Sequence, residues 1–150
     1  MAHQKRLVLG LGNPLVGEDG FGNAVIETLR QRSDLPDAVD LIDAGTDLLA
    51  HVDTLGSYDE VVLVDVVVSD GRAGTVEVIQ EETLTGWPDT SPSCHHVSPL
   101  LAVKLFRALH PQAATRIRLV ALHAETLHAT PGVASSAVAA GAEAVVRLIA

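Results

Sequence analysis

Two hydrophobic rhythms alternate along this chain. Dense apolar runs at 6–11, 39–42, 60–68 and 116–122 read as strands. Between them, apolar residues return every three or four positions, the period of a half-buried helix. The first such stretch begins near Gly20 and carries Phe21, Ala24, Val25 and Leu29 on one face. A short helix is expected over 47–55, another over 99–109, and a last one over 135–149 with Val138, Ala142, Val145 and Ile149 on one face. Residues 98 and 99, Ser then Pro, match an N-cap followed by proline at the first helical position. Strands alternating with helices predict an α/β fold in one domain over 1–150.

The third run, EVVLVDVVV, is almost continuously apolar, which suits a strand covered on both faces. Residues 75–79, TVEVI, alternate instead and predict a half-exposed edge strand. The stretch 82–94, rich in Thr, Ser and Pro, reads as a loop. Open α/β sheets gather their functional groups where strands end in loops, at the carboxyl edge. Asn13, Asp19, Asp43, Asp65 and His123 all fall at or just past strand ends on this reading.

The densest chemistry lies at 7–22, LVLGLGNPLVGEDGFG, a strand joined to a helix through glycines 10, 12, 17, 20 and 22. This is no dinucleotide fingerprint, because the third glycine falls at 17 where GxGxxG requires 15. No Gly-Lys-Ser/Thr follows, so it is no phosphate loop either. Glu18 and Asp19 among the glycines point to a metal or cation contact.

Composition narrows the partners. A formal net charge of −9 with 10 Lys and Arg disfavours nucleic acid and anionic membranes. A neutral or basic protein or peptide fits better. Cys94 is the one cysteine, which leaves no intrachain disulfide and no cysteine-based zinc site. The start of the chain does not read as a signal peptide. No run reaches the roughly 18 apolar residues of a membrane helix. A soluble, cytoplasmic protein is expected.

Asp65 interrupts the most apolar strand. A buried carboxylate there costs several kcal/mol unless it is paired or holds a metal. The bland alternative ends the strand at Val64 and leaves Asp65 capping a loop. Asp19 has its own bland alternative, an N-cap for the first helix. Asp43, in LIDAGT, is expected to order its own turn with Gly45 and Thr46. His95 and His96 follow Cys94, and adjacent histidines generally point different ways, so one ligand is expected rather than two. Oxygen and imidazole ligands suit borderline divalent metals such as nickel or zinc. A Cys94–His95 thiol hydrolase is disfavoured, since such pairs normally come from distant segments. His110 is expected to interact with the C-terminus of the 99–109 helix. His123 shows no partner pattern.

Taken together, Gly10-Leu11-Gly12-Asn13-x-Leu15-x-x-Glu18-Asp19-Gly20-x-Gly22 resembles the GxGNxLxxDDGxG signature of the hydrogenase maturation proteases. Asp43-Ala44-Gly45-Thr46 is similar to that family's DGGT-like turn, with Ala44 replacing a usual glycine. Asp65 after an apolar strand, Cys94-His95-His96 before a helix, and Ser136-Ala137-Val138 continue the likeness. The resemblance implies a five-stranded mixed sheet with helices on both faces. It implies an endopeptidase that removes the C-terminal extension of the nickel–iron hydrogenase large-subunit precursor after nickel insertion.

The site residues it implies, both catalytic and metal-contacting, are Asp19, Asp65 and His95, with individual roles open. Val97 and Ser98 favour His95 over His96 as the ligand, and Glu18 stands where an Asp is common. Gly10, Gly12, Asn13, Asp43 and Gly45 would support the loop. Nickel would arrive with the substrate's metal centre, with no organic cofactor. The alternative is a non-catalytic nickel-binding maturation chaperone. The opening GLGNP also occurs in peptidyl-tRNA hydrolases, but no TRHN-like histidine segment follows and the charge is wrong for tRNA.

Overall fold

A computed structural model describes residues 4–69, 72–87, 99–125 and 132–150. Five strands form one sheet in the order β2-β1-β3-β5-β4. They are β1 (Arg6–Leu11), β2 (Val39–Gly45), β3 (Glu60–Val68), β4 (Val76–Gln80) and β5 (Arg116–Ala124). The first three and β5 run parallel, while β4 pairs antiparallel with β5 at the edge. Helix α1 (Phe21–Arg30) and helix α5 (Ser135–Ile149) cover one face. Helices α2 (Val52–Leu55), α3 (Glu81–Thr85) and α4 (Pro99–Leu109) cover the other. This is the mixed sheet with helices on both faces that the family resemblance implies.

The two cores follow from the period of two along a strand. Leu7, Leu9, Val61, Leu63, Ile117 and Leu119 point to α4, whose Phe106 packs among them. Val8, Val62, Val64, Val120 and Leu122 point to α1 and α5. Both sets are buried, which is why β3 reads as an unbroken apolar run.

Several expectations shift. Strand β2 continues through Gly45 rather than stopping at 42, so Asp43 lies within it. The expected 47–55 helix divides into a 3-10 turn, Leu49–His51, and α2. Part of the expected 82–94 loop is α3. Its sequence carries Glu81 and Glu82 in the first turn, favourable at a helix N-terminus, and it buries Leu84. Residues 88–98 lie outside the described residues, and with them Ser98, the expected N-cap of α4.

On α1 the buried face is Phe21, Gly22, Val25, Ile26 and Leu29, with Ile26 in place of Ala24. On α5 Ala137 and Gly141 join the buried face, against which the expected Val138 packs half-buried. A Cβ on Gly141 would run into the Phe21 ring, so these small residues let α5 sit close to α1.

From β1 the chain steps outward to β2, then returns to the other side of β1 with β3. Such a switch point opens a crevice at the carboxyl ends of the two strands. The β1–β3 ladder ends at Gly10 opposite Val64, while β3 runs on beside β5 as far as Val68 opposite Ala124. Asp65 is therefore the first residue of β3 past its shared ladder with β1.

Candidate active site

Asp65 does not end its strand. It sits within β3, paired in register with Ala121, and is 5 % exposed. The loop-cap alternative is thereby excluded. Its Oδ1 accepts the Val66 N–H at 2.8 Å. No other hydrogen bond and no ion pair reaches this carboxylate among the described residues. Burial pushes the Asp65 carboxyl up to about 8; the Val66 N–H opposes the rise, and the neighbouring charge of Asp19 adds to it.

Asp19 reaches the same place from β1. It lies in a 3-10 turn, Gly17–Gly20, between β1 and α1 and is 2 % exposed. It is not the N-cap of α1; that position is Gly20, with no side-chain cap bond. Its Oδ2 instead accepts the Asn13 N–H at 2.9 Å, which folds the glycine loop back on itself.

The glycines of this loop make room for protein, not for a phosphate. Gly12 adopts φ +125°, and a Cβ there would overlap the Asp19 carbonyl oxygen. A Cβ on Gly22 would collide with the backbone of Leu11 and lie 2.6 Å from the Val64 carbonyl oxygen. The first turn of α1 can thus rest directly on the ends of β1 and β3. That contact brings the segment bearing Asp19 against the strand bearing Asp65.

The other loop residues hold this arrangement together. Gly10 is the last β1 residue paired with both neighbouring strands in regular register. Asn13 Oδ1 accepts the Leu15 N–H at 3.0 Å, a local side-chain turn. The Gly12 N–H donates to the Gly45 carbonyl at 2.8 Å. Asp43 Oδ1 accepts the Gly45 N–H at 3.1 Å and Asn23 Nδ2 at 2.7 Å. Asp43 therefore orders its own turn and also ties it to α1. The side chain of Glu18 and all of Cys94, His95, His96, Val97 and Ser98 lie outside what is described.

The start of α4 is nonetheless fixed. Its C-terminal half lies at the amino edge, where Arg107 pairs with Glu81 and Phe106 packs by Gly56. Eleven helical residues rise about 16 Å. Pro99 therefore stands toward the carboxyl edge, on the Asp65 face of the sheet. His95 lies four residues before it in sequence.

Two histidines behave differently from expectation. His110 does more than end α4: its Nε2 lies 3.0 Å from Asp53 Oδ1, and its ring packs on Phe106. His123, which showed no partner pattern, lies within β5 and is 4 % exposed. It meets Ser69 Oγ at 2.7 Å and Glu77 Oε2 at 2.7 Å. Its signal was the one Asp65 gave, an ionisable residue in an otherwise apolar strand.

The donor set at the switch point consists of two buried carboxylates and no described cation. Such a pair suits a positive ion. The described residues alone hold no group of three metal-ligating side chains.

Comparison with known proteins gives this arrangement its family. A family model described as hydrogenase maturation protease matches residues 23–150. The chain belongs to the hydrogenase maturation protease family. The match begins directly after the glycine loop, so membership is carried by the rest of the chain.

The hydrogenase 2 maturation protease of Escherichia coli K12 is 28 % identical over 117 residues, 76 % of this chain and 71 % of that protein. A putative hydrogenase maturation protease of Methanocaldococcus jannaschii is 36 % identical over 93 residues, 61 % of this chain and 60 % of that protein. The solved hydrogenase maturating endopeptidase HybD from E. coli superposes with a TM-score of 0.81 at 25 % identity, covering 96 % of this chain and 91 % of that one. Membership places the chain among the proteases of hydrogenase maturation. No helix of the described residues is long and apolar enough to cross a membrane.

Proposed function

We propose that this family member is an endopeptidase that trims the C-terminal extension from the nickel–iron hydrogenase large-subunit precursor once nickel is in place. The observation that carries this reading is the pair Asp19 and Asp65, both buried at the switch point with no described cation to neutralise either. A carboxylate so placed gains most from a cation delivered from outside. The nickel of a loaded precursor is such a cation, and His95 would complete the contact from the segment before α4. Three protein ligands leave coordination positions for the substrate's own groups or a water. With the ion held there, the scissile carbonyl could be polarised or the water activated.

The experiment is cleavage of purified precursor, with and without nickel, followed by intact mass. Trimming of the loaded precursor alone is expected, and its loss in Asp19→Ala, Asp65→Ala and His95→Ala. Equal trimming of nickel-free precursor defeats the nickel-reading idea. A protein that binds nickel by itself and leaves every precursor uncut is instead the non-catalytic chaperone.

A further inference from the structure

The arrangement around His123 belongs to no part of that reading. His123 pairs in register with Val67, and Asp65 with Ala121, so all four side chains share the α4 face near the carboxyl edge. The imidazole is buried, with Ser69 Oγ at 2.7 Å from Nδ1 and Glu77 Oε2 at 2.7 Å from Nε2. These partners fix the neutral tautomer. A carboxylate only accepts, so Nε2 carries the ring hydrogen and donates it to Glu77. Nδ1 is then the acceptor, and the Ser69 hydroxyl donates into it. Hydroxyl, imidazole and carboxylate thus stand in the order of an activated nucleophile, with the two ring nitrogens exchanged relative to the serine-protease arrangement.

Each member has its own anchor. Ser69 is held by its N–H to the Ala124 carbonyl at 2.9 Å, and His123 by its N–H to the Thr75 carbonyl at 2.8 Å. Arg72 Nη1 lies 3.2 Å from the same Glu77 oxygen that receives the imidazole, keeping that carboxylate in place. Ser69 is only partly buried, so its hydroxyl is within reach of a small reagent.

We propose that Ser69, His123 and Glu77 form a second, metal-independent nucleophilic site that accepts acyl groups from activated esters. Ser69 Oγ attacks the acyl carbonyl carbon while its proton passes to His123 Nδ1. The bond to the leaving alkoxide breaks, and the alkoxide departs with that proton as an alcohol. Water, giving a proton to the same Nδ1, then releases the carboxylic acid and restores Ser69. His123 is the base and Glu77 its positioning residue.

The test uses the full chain in a metal chelator, without precursor, so its outcome is independent of the peptidase reading. A fluorophosphonate and p-nitrophenyl acetate are the probes, with adducts located by peptide mass mapping. The expected result is one adduct, on Ser69, and an initial burst of p-nitrophenol. Ser69→Ala should abolish both. Removing a general base is worth roughly 10²–10⁴-fold, so His123→Gln should slow labelling by about 100-fold or more. Glu77→Gln, at a half-exposed position that the core does not need, should slow it about 10-fold by loosening the ring. A folded wild-type protein that takes no label on Ser69 overturns the proposal. So does a Ser69 adduct that forms equally fast in the Glu77→Gln protein or in chain unfolded by urea.

Discussion

Gly22 in α1 stands directly over Val64 in β3, so close that a methyl group on the glycine would lie 2.6 Å from the Val64 carbonyl oxygen. Val64 is the last β3 residue paired with β1, and Asp65 follows it. This contact sets how far the Asp19 segment stands from Asp65. Gly22→Ala must push α1 away from backbone atoms that cannot yield. Overpacking of this kind costs about 1–3 kcal/mol, and the upper end is expected here. Urea denaturation should show the loss, and precursor trimming should fall further than the fraction unfolded explains.

The Asp65 carboxyl ties stability to pH. Its native pKa stands near 8, above the ordinary 3.8, so the native state holds that proton more tightly than the unfolded chain. Stability from this group is fully present below about pH 4, declines as pH rises toward 8, and is level beyond. Asp65→Asn keeps the acceptor for the Val66 N–H and removes the charge. In metal chelator the variant should match wild type near pH 4 and exceed it by several kcal/mol at pH 8. Urea midpoints across that range read the difference, and parallel curves would refute it. Trimming activity should be lost at every pH.

Asp19→Asn separates charge from architecture. An amide oxygen can still accept the Asn13 N–H, so the loop should keep its shape and the melting temperature should change little. If Asp19 contacts the nickel of the precursor, trimming should nevertheless fall by about 100-fold or more, the order expected when a charged group at a reacting centre is neutralised. Retained trimming would reassign the contact.

Asp43→Ala should behave as a structural change. It removes two bonds at one oxygen, to Gly45 and to Asn23. A loss of about 1–2 kcal/mol is expected, with trimming reduced only a few-fold. Loss as complete as in Asp19→Ala would move Asp43 into the reaction itself.

Phe106→Ala probes the opposite end of the molecule. The ring is fully buried between α4 and the sheet, and its removal should cost about 3–5 kcal/mol. Trimming per folded molecule, measured well below the new melting temperature, should be close to wild type.

Much of this was legible because it rests on periodicity. The bounds of β1, β3, α4 and α5 follow from apolar spacing, and the alternating 75–79 stretch correctly signalled an edge strand. Strand β2 outruns its apolar stretch: Asp43 and Gly45 have the composition of a turn, yet their backbone still pairs with β1 across a register shift between Gly10 and Leu11. Helix α3 was hidden by its Thr-rich composition; its anchor is the distant Arg107–Glu81 pair. At the site, the sequence showed that Asp65 needed a partner but not that the nearest acidic neighbour would be Asp19, which depends on glycine contacts across the chain. The partners of His123 are hidden along the chain for the same reason, since Ser69 and Glu77 reach it from β3's end and from β4.

The glycine contacts under α1 have a kinetic side. A helix seated on strand backbone without intervening side chains leaves no slack through which this jaw of the crevice could open. A partner meeting this fixed side of the mouth need not wait for it to assemble. Its association rate should lie in the ordinary range for docking preformed surfaces, about 10⁵–10⁷ M⁻¹s⁻¹. Differences between good and poor clients should then appear in how long they stay.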